Sequence, residues 1–198
     1  MGVKYNRAEE ISERMRELRI KAVKTKDARL EFLDKLWNRM RLGSKEDQLL
    51  ADVARSVCGA VDAAASSLLL VGGYDQQLVF ETNGAAGSSR YRRLPIEMQS
   101  DFTKWVLQNG KPMTVNDIDQ SRQLYRALDD VTGFTTKSVI GVPLKIEGKV
   151  SGVIEAFNKL DGTAFNRQDT QIMTAMAATA AVALENARMN IRLINSYK

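Results

Sequence analysis

The chain has 198 residues, 44% of them hydrophobic and 27% charged, an ordinary balance for one globular domain with an appendage. It contains no histidine, which removes Ser-His-Asp and Cys-His catalysis, histidine metal sites and proximal-histidine haem together. The net charge of +5 is uneven: residues 1–45 carry 13 Lys+Arg and 7 Asp+Glu, a net of +6, and the remaining 16 and 17 give −1.

The basic excess therefore belongs to an N-terminal arm. Its Arg14, Arg16, Arg19, Lys21, Lys24 and Lys26 alternate with acids and lack interleaved aromatics, the pattern of a solvated helix face, so nucleic acid is not an expected partner. No apolar run reaches the roughly 18 residues of a membrane span, and Met1 to Glu10 lack a signal-peptide core. A cytoplasmic protein without a membrane partner is the expectation. Cys58 is the single cysteine, and among Val53, Val57 and Val61 it reads as a small buried hydrophobe.

From Tyr5 to Leu42 the apolar spacing predicts helix, with one seam at Ile11, Met15, Leu18 and Ala22. A second seam, at Leu30, Leu33, Trp37 and Met40, is out of phase with the first across Lys24 to Asp27. Gly43 suits a helix end, and Ser44 with Asp47 suits the start of the next helix, Lys45 to Cys58. Ala65 to Val71 and Leu78 to Thr82 are expected to form a hairpin about a turn at Gly72 to Gln76. Asn83 to Ser89 reads as loop, Glu97 to Gln108 as a helix opened by Pro95 and stopped by Asn109-Gly110, and Met113 to Val115 as a short strand.

Asn116 to Val139 has few apolar residues and no strong period, and a loop of that length in a domain is more often functional than decorative. Beyond it Ile140, Val142, Leu144 and Ile146 alternate with other residues, Glu147-Gly148 turns, and Val150 to Phe157 returns. Pro143 has no N–H, so it is expected at an unpaired edge or a bulge. Asn166 with Asp169 three residues on predicts the capped start of a long helix, Arg167 to about Ser196. The class is α+β with an antiparallel sheet of about six strands.

Asn158-Lys159, Phe165 and Asp169, with Thr132-Gly133-Phe134-Thr135-Thr136 upstream, resemble the Asn-Lys…Phe-x-x-x-Asp-Glu signature of a GAF domain. The resemblance is to the cyclic-nucleotide-binding GAF domains of phosphodiesterases and bacterial adenylyl cyclases, with Thr170 where the last acid belongs. It implies a GAF fold: residues 1–43 a helical dimerisation and signalling arm, 44–189 the domain, 190–198 the end of a C-terminal signalling helix. It implies a sensor and not an enzyme. The related methionine sulfoxide reductases and bilin-binding GAF domains use cysteines that Cys58 does not match.

The resemblance also implies ligand contacts. Tyr125, Asp129, Thr132 and Thr136 match the family's central-loop lid, Glu155 matches an acid on the strand that faces the ligand, and Ser66, Phe80 and Glu81 align with contacts on the first hairpin. A cyclic nucleotide such as cAMP or cGMP offers a flat base to stack on Phe80, an edge for Ser66, Glu81 or Asp129, and a phosphate that takes hydroxyls such as those of Thr132 and Thr136. Glu155, between Val153 and Phe157 on its strand face, either meets ligand donors or faces solvent or a basic partner. Where relatives present Gly-x-Ala-Gly to the phosphate, this chain has Asp101-Phe102-Thr103-Lys104; Phe102 and Thr103 take the contact positions, and Asp101 repels an anion unless Lys104 compensates. Lys159 and Asp169 are expected to pair and pin the last helix to the hairpin, a bridge worth about 0–1 kcal/mol if partly exposed.

In the last helix Ile172, Ala175, Thr179, Val182, Asn186, Met189 and Leu193 follow heptad a/d spacing. The stripe is either intramolecular core or, with the N-terminal arm, the seam of a parallel homodimer. No cofactor and no metal is expected beyond a small-molecule ligand. Lys198 closes the chain in a helix of the kind that leads into an output domain, which is then missing or a separate partner. Two functions follow: a small-molecule sensor that relays its state through terminal helices, or a ligand-free dimerisation scaffold.

Overall fold

The structure is a computed structural model that describes residues 46–71, 77–82, 90–94, 100–118 and 125–196. The expected arm, its glycine stop and serine cap, the loop Asn83 to Ser89 and the Pro95 helix start lie outside the described residues. In chain order the elements are α1 (Glu46–Ala60), β1 (Ala63–Leu70), β2 (Gln77–Thr82), β3 (Arg90–Leu94), α2 (Asp101–Asn109), β4 (Met113–Val115), α3 (Arg126–Thr132), β5 (Val139–Ile146), β6 (Lys149–Lys159) and α4 (Arg167–Ser196).

The strands form one antiparallel sheet in the order β3-β2-β1-β6-β5-β4. Its centre is β1 beside β6, buried over nearly all of β1 and over Gly152 to Phe157 of β6, which is why β1 shows no polar-apolar alternation. Glu147 and Gly148 turn β5 into β6 with φ of 50° and 79°, as a two-residue hairpin requires. β4 reaches only from Val139 to Gly141 of β5, so Pro143 stands where that side has no β4 partner, just before a register irregularity at Leu144/Lys145.

Each face of the sheet has its own core. Leu68, Leu70, Ile140, Val142, Leu144 and Ile154 pack with Leu50, Val53 and Val57 of α1 and with Met173, Met176, Ala177, Ala180 and Leu184 of α4. Small residues in α4 let its backbone lie close to the sheet. The opposite face gathers Ala65, Leu69, Val139, Val153 and Phe157 with Phe102 and Val106 of α2 and with Ile118, Tyr125 and Leu128. Cys58 is buried in α1 as expected.

Two local readings change, and one strand appears that the sequence did not suggest. β3 forms in a stretch rich in arginine that carries no strand alternation of apolar residues. The helix expected from Glu97 begins at Asp101, because Ser100 is extended (φ −78°, ψ 165°) and its hydroxyl accepts from the Thr103 amide as an N-cap. The region expected as loop holds α3, closed by Gly133 in the left-handed conformation. The heptad stripe of α4 is split: Ile172 packs against the sheet core, while Val182 and Met189 are 61% and 45% exposed. No described helix is long and apolar enough to cross a membrane.

Candidate functional site

Alternation along β6 puts Val153, Glu155 and Phe157 toward α2 and α3, so the Glu155 carboxyl enters an otherwise apolar core and is only 3% exposed. Ser67 is its direct register partner on β1 and donates from Oγ to Oε2 at 2.5 Å. Thr103 of α2 donates to Oε1 at 2.6 Å, and the Tyr125 hydroxyl, at the start of α3, donates to the same oxygen at 3.1 Å. Ser100 Oγ lies 2.9 Å from Thr103 Oγ1 and extends the network to the helix cap.

Burial pushes the Glu155 carboxyl above its ordinary range, against the pull of the Ser67, Thr103 and Tyr125 hydroxyls, which favour the charged form. Tyr125 is pushed well above its ordinary value, first by burial and then by the neighbouring Glu155 charge. Among the described residues no cation pairs with Glu155.

Aromatic rings pack beside this network. Tyr125 meets Phe157 edge-on at 5.2 Å between centroids, and Phe102 and Phe134 stand at 6.2 Å from Tyr125 and 6.3 Å from Phe157. Phe102 lies against the sheet because residue 141 is glycine: a Cβ there would come within 2.5 Å of the Phe102 ring.

The lid residues divide. Asp129 accepts from the Thr136 amide at 2.9 Å and hydroxyl at 2.7 Å, and Thr132 donates to the Leu128 carbonyl at 2.6 Å. These bonds close the loop upon itself and do not join the Glu155 network. Ser66 is not brought to it either: in a strand, neighbours face opposite ways, and its hydroxyl donates to the Ala54 carbonyl of α1 at 2.7 Å. The residue that meets Glu155 is Ser67. An apolar run buried on both faces has no parity signal, so the sequence alone could not choose between two adjacent serines. The register pairs Phe80 with Ser67 and Glu81 with Ser66, so of the two only Phe80 stands in the Glu155 row.

At the α2 start Lys104 pairs with Asp101 at 3.0 Å on the surface, and Ser100 takes the Thr103 amide. One of the amides that could meet a phosphate is thus already occupied.

The signature residues form a separate brace. Lys159 Nζ reaches both Asp169 oxygens at 3.0 Å, with side chains only 1% and 5% exposed, and stands 5.8 Å from the Phe165 ring centroid. Asp169 Oδ2 also accepts from the Asn166 amide, while Asn166 Oδ1 accepts from the Gln168 and Asp169 amides, a reciprocal cap. Asn158, at φ 49°, accepts from the Lys137 and Ser138 amides and donates to the Thr135 carbonyl, which ties the end of the loop to β6. Asn116 exchanges two hydrogen bonds with the Phe165 backbone. Thr170 turns its hydroxyl back to the Asn166 carbonyl.

Residues 46–184 match the family model described as GAF domain. The chain belongs to the GAF domain family. It is 26% identical over 152 residues to the probable 3',5'-cyclic phosphodiesterase pde-5 of Caenorhabditis elegans, covering 72% of this chain and 21% of that protein. It is 26% identical over 170 residues to the dual 3',5'-cyclic-AMP and -GMP phosphodiesterase 11A of Takifugu rubripes, covering 81% and 18%. The chain thus spans about a fifth of the length of these relatives.

Among solved structures, the GAF domain of an Acinetobacter phosphoenolpyruvate-protein phosphotransferase matches with TM-score 0.57 at 16% identity, covering 81% of this chain and 94% of that one. Free methionine-R-sulfoxide reductase from Neisseria meningitidis matches with TM-score 0.62 at 19% identity, covering 86% and 93%. Both likenesses concern the fold. GAF domains are commonly regulatory modules in signalling proteins such as phosphodiesterases.

Proposed function

We propose that this GAF domain is the sensor of a signal-transduction protein, binding a small molecule of the cyclic-nucleotide class, cAMP or cGMP, on the sheet face covered by α2, α3 and the loop to Thr136. The observation that carries this reading is the buried Glu155 carboxyl, a polar centre in an apolar core where leucine or valine would fill the same row at lower cost. Phosphodiesterase relatives support the ligand class. Ligand contact falls to Phe80, Phe102, Tyr125, Asp129, Thr132, Thr136 and Glu155. The relay runs through α4, whose outward Val182 and Met189 suit pairing with a second copy, and a separate output partner or domain reads the change.

A ligand-free dimerisation scaffold is the second reading. It is favoured by the internal satisfaction of both Glu155 oxygens and both Asp129 oxygens. Calorimetric titration and thermal unfolding with cAMP and cGMP separate the two. A ligand at about one hundred times its Kd stabilises the folded state by about 2.7 kcal/mol. A melting temperature unmoved by millimolar amounts of either nucleotide would favour the scaffold.

A further inference from the structure

The three donors on Glu155 are not equivalent. Ser67 belongs to the sheet itself and bonds Oε2 from the adjacent strand, so its bond survives any movement of the covering elements. Thr103 and Tyr125 belong to the cover, and both converge on Oε1. Lifting the cover would strip Oε1 of both donors while leaving Oε2 bonded. With the cover lifted water can reach Oε1, and a ligand that shuts that water out must itself supply an N–H or O–H, because a buried carboxylate oxygen without a donor is costly.

We propose that Thr103 is an internal competitor of the ligand: its hydroxyl occupies the Glu155 oxygen that a ligand N–H or O–H must take, and so holds α2 latched to the sheet until that donor arrives. The inference rests on the reading that the ligand docks on this face, and it adds the chemistry of the group that docks there. The ligand end that reaches the sheet carries a hydrogen-bond donor, an amino group, ring N–H or sugar hydroxyl. A phosphate oxygen has no proton to offer Oε1, so the phosphate lies away from it.

Thr103 thereby sets the affinity threshold. A ligand that binds only the unlatched state has an apparent affinity lowered by the fraction of molecules that are unlatched. The Thr103 bond is well placed to set that fraction, since it goes to an ionisable group at short distance and is shielded from water. Valine keeps the branched shape of threonine and removes only the hydroxyl, while the Thr103 amide retains its bond to Ser100.

The test compares wild type with Thr103→Val, Thr103→Ser and, should the valine variant not fold, Thr103→Ala. Without ligand, amide hydrogen exchange in Lys104 to Asn109 is expected to quicken about tenfold in Thr103→Val, to return to the wild-type rate in Thr103→Ser, and to remain unchanged in the α4 amides. With cAMP and cGMP as probes, calorimetry is expected to show about tenfold tighter binding to Thr103→Val, with Thr103→Ser close to wild type. Unchanged α2 exchange in Thr103→Val overturns the latch, and so does faster exchange with equal or weaker nucleotide binding. If neither nucleotide binds wild type or variant, the cyclic-nucleotide reading falls, and the exchange result alone decides the latch.

Discussion

Glu155 and Asp169 are both carboxylates at 3% exposure, yet they are held in opposite ways. Asp169 receives a lysine ammonium on both oxygens and sits in the first turn of α4, where it also caps the Asn166 amide. Its charge is neutralised and its geometry closed. Glu155 receives hydroxyls alone, two of them from elements that cover the sheet rather than form it. A neutralised buried pair gives the fold a fixed joint, whereas a buried carboxyl held by exchangeable donors keeps a local demand that another molecule can meet. The same chemical group is thus closed in a salt bridge at the end of β6 and held by hydroxyls alone at its middle.

The largest test of this contrast is Lys159→Met, which leaves Asp169 buried without its cation and is expected to cost about 3–5 kcal/mol in urea unfolding. This exceeds the 0–1 kcal/mol suited to a partly exposed pair, because the structure buries both partners. Lys159→Met with Asp169→Leu should recover part of the loss; full recovery would mean that the Asn166 cap contributes nothing. Next is Gly141→Ala, whose methyl would press on Phe102 and is expected to cost about 1–3 kcal/mol while loosening α2. Hydrogen exchange should show the change in α2 and not in α4, and equal loosening of both would erase the distinction between the two regions.

Asn158→Ala removes the three bonds to Thr135, Lys137 and Ser138 and puts alanine, which tolerates the left-handed region less well than asparagine, at φ 49°, with an expected cost of about 1–2 kcal/mol. Faster proteolysis within the Thr132 to Lys137 segment would mark that loop as its site of action. Glu155→Gln has the smallest expected effect, and its sign depends on pH. The folded-state value of Glu155 is raised by burial, so its contribution is fully present below the ordinary glutamate value of about 4.3 and is lost as pH rises through the raised one. The glutamine variant should match wild type near pH 4 and become relatively more stable toward neutrality. A difference between the two that stays constant with pH would mean that Glu155 does not titrate between them.

The brace was legible because its parts are local. Asn166 and Asp169 are spaced as a cap, and Lys159 and Phe165 lie within ten residues of Asp169, so the family signature and helix-start chemistry identify them together. The Glu155 network was only half legible. Glu155 stood out as an acid between Val153 and Phe157, but its partners come from β1, α2 and α3, which are remote along the chain. Ser66 was expected there instead of Ser67, and Asp129, Thr132 and Thr136 proved to be bonded within their own loop.

From the sequence alone come the α+β class, the β5–β6 hairpin, the capped start of α4 and the GAF resemblance, because periodicity, turn chemistry and capping are properties of neighbouring residues. The tertiary structure decided which serine faces the carboxyl, which donors belong to the cover and that Glu155 is held by hydroxyls. Those questions turn on the pairing register of β1 and β6 and on where α2 meets the sheet. Register and docking arise only when distant segments are brought together, and a shift of one residue in a strand moves a side chain to the other face.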